Sequence, residues 1–302
     1  MDGGDDQLTI MLLGGTGYLG SNIAKAFSQN GYRLICVVRN KSNTSFLESL
    51  ENVELVSNET GQLELTIRRN HIDWIINGVC TYKSNDSLYG DMFQANVIFP
   101  LSVLNLAIKY GITRFVTVGT ALPEDFNLYS FTKHKFSDFG RFLSMKDGIS
   151  FLELKLEMFY GGINEPINRF MNSCRIKLKN NEIIELTSGI QKRDVVRVED
   201  VVGIMEKLIE NNCYTGYSVL PVGSGEQHSI KEIVEYMKEI IGSKSVLEFG
   251  AITDRQGEPD TLASINWYSR INYKIKYSFW EGIKDFCSCE GKHHYVQNNA
   301  NL

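Results

Sequence analysis

Tyr129 and Lys133 stand four residues apart in the run Tyr129-Ser130-Phe131-Thr132-Lys133. On a helix that spacing puts both side chains on one face. A phenol with a pKa near ~10 is a poor acid–base catalyst at neutral pH. An adjacent ammonium stabilises the phenolate and moves the tyrosine toward useful values. Upstream, Thr120 follows the apolar run Phe115-Val116-Thr117-Val118 and offers a hydroxyl that can hold a carbonyl beside the phenol. The three groups could exchange a proton with an oxygen while hydride moves at the attached carbon. In an arbitrary protein Tyr-x-x-x-Lys is more often the face of an amphipathic helix, so its context decides.

That context begins at Gly14-Gly15-Thr16-Gly17-Tyr18-Leu19-Gly20, after the apolar run Leu8–Leu13 and before Ser21–Phe27. This is a buried strand, a glycine turn and the start of a helix, the setting a dinucleotide fingerprint requires. Gly14 permits the tight turn, Gly17 lets backbone amides approach a pyrophosphate, and Gly20 lets the helix lie on the strand. The helix N-terminus adds partial positive charge, with Thr16, Tyr18 and Leu19 in the same turn. A second strand, Leu34–Val38, ends where a carboxylate would hold the adenosine ribose. Arg39-Asn40-Lys41-Ser42 stands there instead. Arg39, with Asn40 beside it, can grip a 2′-phosphate through charge-assisted hydrogen bonds, so the sequence predicts NADPH/NADP+ over NAD(H). The bland alternative is a solvated basic turn.

Further apolar runs at Val53–Val56, Trp74–Val79 and Arg114–Val118 read as strands, with helices at Leu63–Arg69 and Asn96–Tyr110. Pro100 falls in the expected first turn of the latter, and Gly111 stops it. This alternation predicts an α/β fold, a Rossmann-type doubly wound parallel sheet with a smaller C-terminal α/β lobe. Residues 1–160 would bind the cofactor, with return segments near 190–220, and 161–302 would mainly bind substrate. Ligands in such sheets lie beyond the strand carboxyl ends, where Gly78 and Thr120 also fall. Ser229 with Glu232 forms a capping box for a helix to Ile241, and Asp200 opens another helix to Glu210. A polar tail begins near 288, and residues 291–302 read as poorly ordered.

A net charge of −5 argues against a nucleic-acid partner. The acidic N-terminus lacks the features of a secretory signal, and no apolar run approaches the ~20 residues of a membrane span. Scattered cysteines suggest reduced thiols and a cytoplasmic location. Cys287 and Cys289 with His293 and His294 match no standard zinc spacing, and no metal is expected.

These motifs, in this order over residues 8–286, resemble the extended short-chain dehydrogenase/reductases of the NAD-dependent epimerase/dehydratase family that act on nucleotide sugars. The resemblance also rests on Asn96, on Leu154–Gly161, on Gly189–Asp194, on Val198–Val201 and on Arg255-Gln256-Gly257-Glu258-Pro259. It implies Thr120, Tyr129, Lys133 and Asn96 as catalytic residues, Lys133 also bonding the nicotinamide ribose. It implies a nucleotide-diphosphate sugar as substrate, with Arg193 and Arg255 at the diphosphate. The alternative for each arginine is an ion pair with a neighbouring acid. Lys155 and Met158 stand where many members have Arg and Asn, and the Asn position usually touches substrate. The family often dimerises through the long helix and the Tyr129 helix, with which Phe131, Phe136 and Phe139 are compatible, and equally with a place in the core.

Departures from the family pattern narrow the reaction. Dehydratases carry an acidic pair after the strand-end Thr or Ser, whereas Ala121 and Leu122 follow Thr120. A 4-ketoreductase needs one proton donor and exchangeable NADPH. The short segment from Val116 to Tyr129 is most similar to the CDP-abequose and CDP-paratose synthase types, which reduce a CDP-4-keto-3,6-dideoxyhexose for O-antigen. Carbon-3/carbon-5 epimerizing members need an extra acid–base residue, for which His134 and Cys80 are candidates. Two other readings stay open: a nucleotide-sugar epimerase holding NAD and a non-catalytic NADPH-sensing relative.

Overall fold

The computed structural model describes residues 7–82 and 89–288. Apolar runs form β1 (Thr9–Leu13), β2 (Arg33–Val38), β3 (Val53–Ser57), β4 (Trp74–Asn77), β5 (Arg114–Val118) and β6 (Ser150–Leu156). With the Tyr217–Val222 strand they make a seven-stranded sheet in the order Tyr217–Val222, β6, β5, β4, β1, β2, β3. Every pairing in it is parallel. β1 is buried along its whole length, as expected for a central strand with both faces covered.

Two compact units emerge from the contacts. The first takes the chain up to Leu156 with Val202–Val222 and Asn266–Tyr273, and the second takes Glu157–Val201, Gly223–Ile265 and the chain from Lys274 onward. The division therefore falls at Leu156 rather than near 160, and the first return is Val202–Val222. The return at Asn266–Tyr273 was not anticipated. It is a short 3₁₀ helix whose Tyr268 and Ile271 are buried and whose Trp267 Nε1 donates to the Pro221 carbonyl at 2.8 Å. Too few residues are involved for a periodic signal.

The core of the first unit joins Met11, Leu13, Ile35, Ile75, Phe115 and Phe151 of the sheet to Leu104, Ala107 and Phe136 of its helices. The Leu128–Asp147 helix reaches the sheet closely because a Cβ on Gly140 would meet Phe151 Cζ at 2.2 Å. Phe136 thus belongs to the core, while Phe139, Phe142 and Met145 leave an exposed apolar stripe on that helix.

The helix expected from Asn96 begins earlier and runs Tyr89–Lys109, with a π turn over Gln94–Ile98. Pro100 lies inside it rather than in its first turn. Proline cannot donate to the Asn96 carbonyl and its ring crowds it, and the wider turn removes that clash. By length and composition this helix could cross a membrane; in the fold its Val103, Leu104 and Ala107 are buried in the sheet core.

In the second unit Leu178, Ile184, Ile230, Ile233, Val234, Met237, Phe279, Ile283 and Phe286 form the core. The capping box at Ser229 and Glu232 is present. The helix expected from Asp200 spans Val198–Asn211. Cys287 packs into this core, whereas Cys289, His293, His294 and the tail from 291 lie outside the described residues.

Candidate active site

The glycine turn is built as its spacing suggested. Gly14 sits at φ +83°, and a Cβ there would press on Gly78 and Val79 at 3.1–3.3 Å. A Cβ on Gly20 would lie 2.1 Å from the Gly14 carbonyl oxygen, so the helix and turn meet backbone to backbone only because that residue is glycine. The helix Tyr18–Gln29 has Gly17 as N-cap, and no side chain caps its first amides. Those amides, with the helix dipole, form a cradle for a phosphate. Leu19 is buried beneath it, while Thr16 and Tyr18 are half-buried. Asn77, not singled out from sequence, shapes the facing loop: its Nδ2 donates to Thr117 Oγ1 at 3.0 Å and its Oδ1 accepts from the Val79 amide at 3.2 Å.

Beyond β2, Arg39 is exposed and forms no ion pair among the described residues. The Asn40 amide is engaged with Glu59 and Ser57. Ser42 donates its amide to the Arg39 carbonyl at 2.9 Å. Its hydroxyl is buried with no hydrogen-bond partner among the described residues. A free guanidinium and an orphaned hydroxyl in one turn are the donors an anion would satisfy. Together with the glycine cradle they fit a nicotinamide dinucleotide.

Asn127 caps the Leu128–Asp147 helix: its Oδ1 accepts from the Ser130 amide at 2.9 Å, and its own amide donates to Ser130 Oγ at 3.1 Å. The cap sets the helix start, so Tyr129 falls in the first turn and Lys133 one turn later. Thr120 is buried at the end of β5, and its side chain is hydrogen-bonded to Tyr129. Lys133 is only 4% exposed and donates from Nζ to the Val79 carbonyl at 3.2 Å. The structure thus brings the Thr120 hydroxyl to the Tyr129 phenol.

The expectation that the ammonium lowers the phenol's pKa needs correction. Burial pushes the Tyr129 phenol well above its ordinary value, Tyr82 and Cys80 add to the rise, and the bond with Thr120 opposes it. Lys133 is lowered by its own burial, against Cys80 and Glu153. Glu153, buried on β6, lies so close under Gly119 that a Cβ there would meet its Oε1. It accepts hydrogen bonds from Ser137 and, at 3.5 Å, from the Tyr217 hydroxyl.

Asn96 is buried and its amide is fully committed: Oδ1 accepts from the Thr81 amide at 2.8 Å, and Nδ2 donates to the Thr81 carbonyl at 3.1 Å and Thr132 Oγ1 at 3.0 Å. It positions the chain after β4 rather than touching Tyr129. His134, a candidate base, instead donates from Nε2 to the Leu122 carbonyl at 3.0 Å. Tyr82 was missed from sequence, where an isolated tyrosine in a loop carries no pattern. Its ring centroid lies 4.5 Å from that of Tyr129, tilted by 31°.

In the second unit Arg193, expected at a diphosphate, is 6% exposed and bonded to Glu258 and to the Pro259 carbonyl, so it holds that loop. Arg255 is 73% exposed and lies 3.7 Å from Glu258, which leaves its guanidinium open to solvent. Met158 is half-buried in the Met158–Tyr160 strand. Asp194 takes four hydrogen bonds, from Ser224, Gly225 and Ala263, as a buried loop anchor. Glu157 is buried, which raises its carboxyl to about 7; Thr261 opposes the rise and Asp194 adds to it. The folded unit therefore favours the protonated acid. The stability this contributes is complete below about pH 4.5 and is lost as pH rises through about 7. Glu157→Gln should flatten that part of the stability–pH curve in chemical denaturation, and an unchanged slope would contradict this assignment.

The sheet, the glycine cradle and the Thr120–Tyr129–Lys133 group define an extended short-chain dehydrogenase/reductase. Residues 10–219 match the NAD dependent epimerase/dehydratase family, and the chain belongs to it. It is 29% identical to CDP-abequose synthase of Salmonella typhimurium over 293 residues, 88% of this chain and 94% of that protein. Its fold superposes on UDP-glucose 4-epimerase of Thermotoga maritima, solved with UDP-glucose, at a TM-score of 0.80 and 18% identity, covering 93% and 97% of the two chains. UDP-glucose 4-epimerase of Thermus thermophilus, solved with NAD, gives 0.79 and 16%, covering 93% and 98%.

Proposed function

We propose that this protein uses NADPH to reduce the 4-keto group of a nucleotide-linked deoxyhexose, a CDP-4-keto-3,6-dideoxyhexose, in the synthesis of surface-polysaccharide (O-antigen) sugars in the cytoplasm. The observation that carries the reading is the pairing of Tyr129 with Thr120 without a dehydratase's acids beside it. Thr120, bonded to Tyr129, is directly followed by Ala121 and Leu122 in place of the acidic pair that a dehydratase uses to eliminate water. Arg39 with the orphaned Ser42 hydroxyl supports NADPH, and the likeness to CDP-abequose synthase supports the substrate class. Bound NADPH supplies the hydride. Thr120 holds the carbonyl oxygen, Tyr129 donates the proton to it, and Lys133 keeps positive charge beside the site. The exposed stripe of Phe139, Phe142 and Met145 suits a homodimer.

NADPH oxidation against CDP-, dTDP-, UDP- and GDP-4-keto sugars tests this, with the CDP substrate expected to be fastest. Copurifying NAD and no net consumption of NADPH would instead support the epimerase reading. NADPH binding without turnover on any member of the panel would support the sensing one. Within the reduction, Arg255 is the exposed guanidinium for the diphosphate. Arg255→Ala should raise substrate KM about tenfold with kcat and NADPH affinity unchanged, and an unaltered KM removes it from the site.

A further inference from the structure

Each reduction leaves Tyr129 as a phenolate, which must recover a proton from water before the next turnover. Lys133 and Asn96 are not joined to the phenol: Lys133 Nζ is on the Val79 carbonyl and the Asn96 amide is on Thr81 and Thr132. Tyr82 is joined to it. The two rings lie 4.5 Å apart, their hydroxyls are hydrogen-bonded, and Tyr82 is 56% exposed. Asn96 grips Thr81 by both its amide and its carbonyl, which fixes the backbone from which Tyr82 reaches.

We infer that Tyr82 is a further catalytic residue of the proposed reduction, returning a proton from water to the Tyr129 oxygen. The step balances. The Tyr129 O–H bond breaks as the substrate oxygen gains its proton, the carbonyl carbon having received hydride from the nicotinamide. The Tyr82 O–H bond then breaks as the Tyr129 O–H bond re-forms, and a solvent acid reprotonates Tyr82. Tyr129 is the more desolvated of the two phenols and Tyr82 is largely exposed, so proton transfer from Tyr82 to the Tyr129 phenolate runs downhill. Thr120 faces Tyr129 from the end of β5, Cys80 and Tyr82 face it from the chain after β4, and Lys133 lies on its own helix.

This inference rests on the reduction proposed above, and Tyr82→Phe tests it while keeping the ring contact. The expected result is kcat lower by about ten- to a hundredfold, an unchanged KM and a larger solvent deuterium effect on kcat. An unchanged kcat, or a raised KM alone, would overturn the role. A second readout needs no substrate. In protein labelled at tyrosine Cζ, the resonance deleted by Tyr129→Phe should titrate at lower pH in Tyr82→Phe, because the facing phenol no longer raises it. An unmoved titration would show that the two hydroxyls are not paired. Since this measurement reads the pair even if every keto-sugar is refused, failure of the relay and failure of the proposed reduction are distinguishable.

Discussion

Replacing Tyr129 with Phe should lower kcat for keto-sugar reduction by about 10²–10⁴-fold, the range general acid catalysis typically contributes. The substitution removes one oxygen and keeps the ring, so packing against Tyr82 survives. NADPH binding, measured by fluorescence, should stay within about twofold, because the glycine cradle and Arg39 are separate from the phenol. Turnover within tenfold of wild type would remove Tyr129 from the chemistry. A phenol is protonated at neutral pH in any case, and burial raises this one further, so Tyr129 carries the proton that a reduction consumes.

Arg39→Ala carries the next largest effect, weakening NADPH about 10- to 100-fold while leaving NADH nearly unchanged. Hydrogen bonds to a charged partner contribute about 1.5–3 kcal/mol, which corresponds to that range. The guanidinium has no ion pair among the described residues to give up, so the loss reports directly on the 2′-phosphate. Ser42→Ala should weaken NADPH in the same direction by a smaller factor, since a neutral hydroxyl is the weaker donor. Equal weakening of NADH and NADPH in a titration would place both residues outside the 2′-phosphate site and return the cofactor question to NAD.

The sheet and its cofactor turn were legible in the chain because their causes are local. Buried parallel strands read as continuous apolar runs, and Gly14 and Gly20 occupy places where any side chain would strike backbone. Tyr129 and Lys133 share a face through helical spacing alone. What sequence left out came from contacts between distant positions. The amide of Asn96 is committed to Thr81 and Thr132, the Tyr82 ring meets Tyr129, and Glu153 lies under Gly119. Arg193 has the family's expected identity, yet its guanidinium is taken by Glu258 and Pro259. The amino-acid order by itself determined which backbone turns could form and which groups could carry charge. Only the tertiary structure decided which of those groups were already partnered and which were desolvated, because burial and long-range hydrogen bonding set a side chain's pKa and availability, and neither is encoded in spacing.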